Sequence, residues 1–253
     1  MYKYITLLLI MFLATGYSRS QELAAGEIIN KVNELMNQGS SKAIMTMTIT
    51  TSSGQKRTFE YLTYSKNKGE KNLMIYMAPK RVKGQKMLML NNADDIWAYF
   101  VRTKRVRKLA THAKKQKMEG SDFSYEDMGG SNSFITDFDA KKTGSETKEG
   151  YKCYKLELVK KPGSGSSYAK MIMWVIKENF VPIVIDYYDE DSPDRVGKTL
   201  LQQNIKEIDG IPTGTKIIMT NKNDDTNTIM VIKEIEYNIQ LDDDMFTERG
   251  LRK

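Results

Sequence analysis

Cysteine occurs once, at Cys153, and histidine once, at His112. A lone cysteine excludes an intramolecular disulfide, so the fold has to be held by packing, and on a strand it reads as a small buried hydrophobe rather than a reactive thiol. A Ser-His-Asp or Cys-His arrangement would have to use His112, which sits in a Lys-rich segment that suits a loop. One His and one Cys far apart lack metal-ligand spacing, and the acidic runs 224–225 and 242–244 lack the EF-hand pattern. There is no Walker-type Gly-Lys-Ser/Thr loop and no dinucleotide fingerprint. Enzyme, metal and cofactor chemistry therefore find no support, and no cofactor is expected.

Long apolar runs are missing too. The apolar run 5–14 is about half of the roughly 20 residues that a bilayer-spanning helix needs. With Lys3 before it and Ser18-Arg19-Ser20 after it, it reads as a cleavable export signal over residues 1–20. Losing Lys3 and Arg19 takes the formal charge from +7 to +5. No long Pro/Gly/Ser linker divides the remainder, so residues 21–253 are expected to form one extracytoplasmic domain.

What is present is mostly strand. Over residues 22–37, Leu23, Ile28, Ile29, Val32, Leu35 and Met36 recur at three and four, which predicts one amphipathic helix ended by Gly39. From 43 onward the pattern alternates in short segments, beginning with a hairpin of 43–51 and 58–65 about Ser52-Ser53-Gly54-Gln55. Segments 72–77, 86–90 and 94–101 continue the meander. After Gly129-Gly130, segments 151–159, 169–176, 183–189, 199–208, 215–221 and 228–237 read as further strands. About 10–11 antiparallel strands in one sheet have to twist and curl around their apolar side, which the helix is available to plug.

The stretch from Asp94 to Met128 organises the chain. Trp97, Tyr99 and Val101 fall on one strand face and Ile96, Ala98 and Phe100 on the other, so both faces need cover. Arg102, Lys104, Arg105, Arg107, Lys108, Lys114, Lys115 and Lys117 then follow with no acidic residue among them. A polar loop, Gly-Ser-Asp-Phe-Ser-Tyr-Glu-Asp, closes the stretch at residues 120–127. Trp97-Ala98-Tyr99, Lys104-Arg105-Val106-Arg107 and this loop, in this order, resemble the LolA-like family of outer-membrane lipoprotein-sorting proteins. The likeness is tight over residues 84–128. It is looser downstream, at Tyr151 to Leu156, Met173-Trp174, Tyr187-Tyr188-Asp189, Asp209-Gly210 and Asp244-Met245-Phe246. Members of that branch often carry proline two residues beyond the tyrosine, where this chain has Val101.

The resemblance implies a mainly β fold, an incomplete, unclosed antiparallel barrel with the N-terminal helix and a lid over its concave apolar face. It also implies a periplasmic carrier moving the acyl chains of lipoproteins, or a related amphiphile, toward the outer membrane. An inner-membrane export transporter would be the donor and an outer-membrane component the acceptor. The residues allow such an interior. Met45/Met47, Met87/Met89 and Met171/Met173 each lie two apart on predicted strands and so present two flexible thioethers to one surface. Ordinary core filling is the plainer alternative, but methionine suits a surface that must adapt to several shapes. An acyl chain of about sixteen carbons costs on the order of 10 kcal/mol to expose, at about 0.8 kcal/mol per CH₂.

The expected cavity lining is thus Met45, Met47, Phe59, Tyr61, Met87, Met89, Trp97, Tyr99, Met171 and Met173. Phe123 and Tyr125 would form a movable lid between glycine hinges, with a rigid Ω-type loop as the alternative. Arg105 and Arg107 would guide docking to an anionic bilayer or an acidic partner, against the plainer reading of an edge strand blunted by charge. Membrane contact would be peripheral, and nucleic acid binding is the weaker reading because no aromatic residue interrupts the basic run. The rival functions are a non-carrier envelope adaptor or scaffold beside an inner-membrane lipid transporter, an outer-membrane β-barrel, and a hydrolase dependent on His112.

Overall fold

The computed structural model describes residues 23–130 and 132–253; the expected export signal lies outside the described residues. Helix α1 (Ala25–Met36) opens them, its first turn closed by the Glu27 carboxylate accepting from the Ala24 amide at 2.8 Å. It buries Ile28, Ile29 and Val32 on one stripe and ends at Asn37, slightly before the expected Gly39.

Strands β1 (Ser40–Thr50), β2 (Lys56–Lys66), β3 (Lys71–Ala78), β4 (Lys86–Leu90), β5 (Asp95–Phe100) and β6 (Arg105–Lys108) form the first limb of a meander. The second limb follows a connecting segment that holds short helices α2 (Tyr125–Gly129) and α3 (Ser133–Thr136). Its strands are β7 (Phe138–Lys148), β8 (Tyr151–Lys160), β9 (Tyr168–Ile176), β10 (Pro182–Asp189), β11 (Lys198–Ile208), β12 (Ile211–Asn221) and β13 (Thr226–Tyr237). The sheet has 13 strands in the order β6-β5-β4-β3-β2-β1-β13-β12-β11-β10-β9-β8-β7, every pair antiparallel, with β6 and β7 as free edges.

The expected 10–11 strands fall short mainly because of β7. Its sequence, FDAKKTGSETK, lacks apolar alternation, and the strand is largely exposed after Phe138. Backbone pairing along β8, from Phe138↔Lys160 to Lys148↔Tyr151, places it in the sheet. A strand held by its neighbour's hydrogen bonds leaves little trace in side-chain periodicity.

The sheet curls, as shown by the company its inward side chains keep. One buried cluster holds Met47, Phe59, Tyr61, Tyr76 and Ile96 from the first limb together with Leu156, Leu158, Met171, Met173 and Ile185 from the second, with α1 between them. Strands far apart in the sheet order meet across the concave side. Two further clusters lie elsewhere. One gathers Cys153, Trp174, Ile176, Val181, Ile183 and Val184; the other gathers Leu73, Leu88, Phe246 and Leu251.

The second of these corrects an expectation. Opposite residues of an antiparallel pair share a face, and the register sets Met89 against Ile96, Met87 against Ala98 and Leu88 against Trp97. Met87 and Met89 on the concave side therefore force Trp97 and Tyr99 to the convex one. There they pack with Val106 against the cluster completed by Phe246 and Leu251, from the chain after β13. Both faces of β5 are covered by protein, so its two largest aromatics do not line the concavity.

Cys153 is fully buried, and burial pushes its thiol above the ordinary range. It is expected to resist iodoacetamide in the native protein and to be labelled once urea unfolds the chain. Rapid labelling of the folded protein, followed by mass spectrometry, would contradict that placement.

Candidate functional site: an apolar cavity and its strap

Between the curled sheet, the end of α1 and the connecting segment lies a cavity of about 380 Å³. That is within the roughly 300–1,000 Å³ usual for a binding pocket. Its wall is apolar and methionine-rich, including Met45, Met74, Met89, Met128, Met171 and Met230, with Leu200, Ile217 and Ile232 beside them. Polar side chains interrupt it, among them Asn72, Glu126, Asp127, Gln202, Thr213 and Tyr237. At the end of α1 the lining residue Met36 is 49 % exposed, marking a rim where the cavity meets solvent.

Of the lining expected from sequence, Met45, Met89 and Met171 stand at the cavity wall. Met47, Phe59, Tyr61, Met87 and Met173 are buried in the cluster behind it without reaching the open space. Sequence reasoning placed β13 but missed its part in the lining. Met230, Ile232, Ile235 and Tyr237 all line the cavity, yet their spacing breaks the alternation. The pairing shows why: Met45 faces Ile232 while Ile44 faces Glu234, so Lys233 is an extra residue in a bulge that restores the inward phase.

The segment carrying Phe123 and Tyr125 crosses the concavity as a strap. Phe123 is buried and lines the cavity, and Tyr125 is half-buried against the same cluster. Ser124 caps α2, accepting from the Asp127 amide at 3.1 Å while Asp127 accepts from the Ser124 amide at 2.7 Å. In β13, the Thr226 and Thr228 hydroxyls donate to the Asp122 carboxylate, Thr228 at 2.7 Å. Glu126 accepts from the Ser166 hydroxyl at 2.5 Å and the Ser167 hydroxyl at 2.6 Å, just before β9. Asp127 accepts from the Tyr168 hydroxyl at 2.7 Å and from Lys198 Nζ at 2.9 Å.

On the other limb, the Tyr76 hydroxyl donates to Glu119 at 2.7 Å. Gly129 lies so near the β4–β5 turn that a Cβ there would come within 2.6 Å of the Ala93 Cβ. The strap is thus tied to both limbs. The hinged lid expected between Gly120 and Gly129 is, in this structure, anchored by buried carboxylates, and Gly129 serves close approach.

These acids are engaged in holding the strap. Every carboxylate oxygen of Asp122, Glu126 and Asp127 already accepts from the protein. Burial, and then the neighbouring Asp127 charge, push the Tyr168 and Tyr187 hydroxyls far above the usual tyrosine range, so both stay protonated donors. Among the described residues no group of three or more His, Cys, Asp or Glu is placed to hold a metal ion, and no helix is long and apolar enough to cross a membrane.

A model of a family described as "-like: Uncharacterized protein" matches residues 68–253. An outer-membrane lipoprotein-sorting protein domain from Vibrio parahaemolyticus is 25 % identical and superimposes with a TM-score of 0.80, over 90 % of this chain and 97 % of that one. The chain belongs to the family of that model, and its fold is LolA-like. A DUF1329 family protein from Desulfovibrio piger, 26 % identical, covers 89 % of the LolA-like chain and 96 % of its own with a TM-score of 0.79. A LolA superfamily protein from Nitrosomonas europaea, 22 % identical over 89 % of this chain and 98 % of that one, shares the fold at a TM-score of 0.74. No curated protein matches the sequence.

Arg105 and Arg107 lie on β6, the free edge of the first limb, and both are exposed. Lys108 beside them is engaged with Asp95, whose carboxyl this contact holds below its ordinary value.

Proposed function

We propose that this LolA-like protein is a periplasmic carrier, not an enzyme. It holds the acyl chains of a lipoprotein, or of a related amphiphile, in the cavity and transfers them toward the outer membrane. Cargo would arrive from an inner-membrane export transporter and leave to an outer-membrane acceptor, with residues 21–253 acting as one unit after removal of the export signal. The observation that carries this reading is the methionine-rich cavity of about 380 Å³ with a partly exposed apolar rim. A carrier must return most of the roughly 10 kcal/mol that an exposed chain of about sixteen carbons costs, yet let it go again. Flexible thioethers fit that requirement because they re-pack around chains of different length without a rigid jigsaw to break.

Protein purified from its own envelope should carry extractable acyl lipid, visible by native mass spectrometry as added mass on the folded chain. Delipidated protein should bind a fluorescent fatty acid in competition with that lipid. Absence of both would overturn the carrier reading and favour an adaptor with a merely packed interior.

A further inference from the structure

We propose that a basic corner built from two hairpin turns is a docking surface for anionic lipid, placed so that it can be occupied with the cavity rim left open. The β3–β4 turn contributes Lys80, Arg81 and Lys83, and the β5–β6 turn contributes Arg102 and Lys104, continued by Arg105 on the edge strand; all six are exposed. The two turns touch: a Cβ on Gly84 would lie 3.3 Å from Val101 Cγ2. Neither 71–93 nor 96–118 contains an acidic residue. Among the described residues Lys80, Lys83, Arg102, Lys104 and Arg105 have no ion-pair partner, whereas Lys108, Lys114 and Lys117 of the same basic run are paired with Asp95, Asp94 and Asp224. The charge left unneutralised is therefore concentrated at the two tips.

The tips also carry Val101, an apolar side chain 38 % exposed amid the cations. Cations surrounding a projecting apolar residue match the interface of a bilayer rich in anionic headgroups. Strand β3 runs from Asn72, a lining residue of the cavity, to Ala78 beside the corner, a span of roughly 20 Å at about 3.3 Å per residue. Contact at the corner thus leaves the rim free. The proposal deepens the carrier reading by giving it a resting surface, but does not need a filled cavity.

The test is co-sedimentation of the purified protein with vesicles of phosphatidylcholine alone and with about 30 mol % phosphatidylglycerol added. Wild type should bind only the anionic vesicles, and binding should fall with added salt. The variant Lys80→Glu/Lys83→Glu/Arg102→Glu/Arg105→Glu should lose more than about tenfold in partitioning. The control Lys152→Glu/Lys206→Glu should sediment as wild type does. Equal affinity of wild type for both vesicles, or undiminished binding by the corner variant, overturns the proposal. So does capture by an acidic polypeptide with no affinity for the anionic vesicles. Fatty-acid binding by the corner variant is read in parallel, so that failure of docking is told apart from failure of the carrier reading.

Discussion

Replacing Met45 with Asp is expected to weaken acyl-chain binding by at least about a hundredfold while leaving the protein folded. Met45 lines the cavity from β1, opposite Tyr61 on one neighbouring strand and Ile232 on the other, and is half-buried. In the empty protein a carboxylate there keeps water through the open space. An entering chain must strip that water away, and leaving a desolvated polar group without a partner costs several kcal/mol, of which about 2.7 already account for a hundredfold. Trp97→Ala supplies the contrast. Trp97 packs on the convex face near Phe246, so its loss should lower the melting temperature but leave fatty-acid affinity unchanged. Fluorescent fatty-acid titration checks both, and a Met45→Asp protein that binds as tightly as wild type would remove the cavity wall from the mechanism.

Lys198→Met should destabilise the fold by about 3–5 kcal/mol, the cost of stranding one partner of a buried ion pair. The side chains of Lys198 and Asp127 are 11 % and 4 % exposed, and the ammonium also lies 5.0 Å from the Tyr168 ring centroid and donates to the Asp122 carbonyl at 3.3 Å. For a chain of this size the loss corresponds to a fall in melting temperature of roughly 10 °C. The double variant Lys198→Met/Asp127→Asn should recover part of it, because a neutral amide no longer needs a cation while its oxygen can still accept from Tyr168. Calorimetry of the single and double variants measures this. A single variant melting within about 2 °C of wild type would mean that the strap is not held by this pair.

Much of the fold is legible in the residues. Alternation locates eleven of the thirteen strands to within a few residues, because one buried face leaves a period of two. The periodicity of Ile28, Ile29 and Val32 gives α1. β7 escapes because it is mostly solvent-facing and owes its place to the backbone of β8. The polar loop at 120–127 is recognisable as a motif, but its purpose is not. The partners of Asp122, Glu126 and Asp127 lie about 40 to 106 residues away, in β13, at the start of β9 and just before it, and in β11. No local pattern encodes so distant a pairing.

The cavity divides the same way. Methionines two apart indicate an adaptable surface, and Met45, Met89 and Met171 do reach it. Which face of β5 looks inward is a different matter, since Ile96-Trp97-Ala98-Tyr99 is apolar on both sides and sequence alone favours neither. Register against Met87 and Met89, and the cover that Phe246 and Leu251 place on the convex side, decide it. The sequence by itself determined a strand-rich chain that can form no internal disulfide, and its helix, because those follow from residue type and local period, while the family likeness rests on motifs in a fixed order. Only the tertiary structure decided the inward face of β5, the bulge that turns Ile235 and Tyr237 inward, and the tying of the strap across the concavity. Each of these depends on which distant backbone lies alongside, and that is settled by how the whole sheet curls.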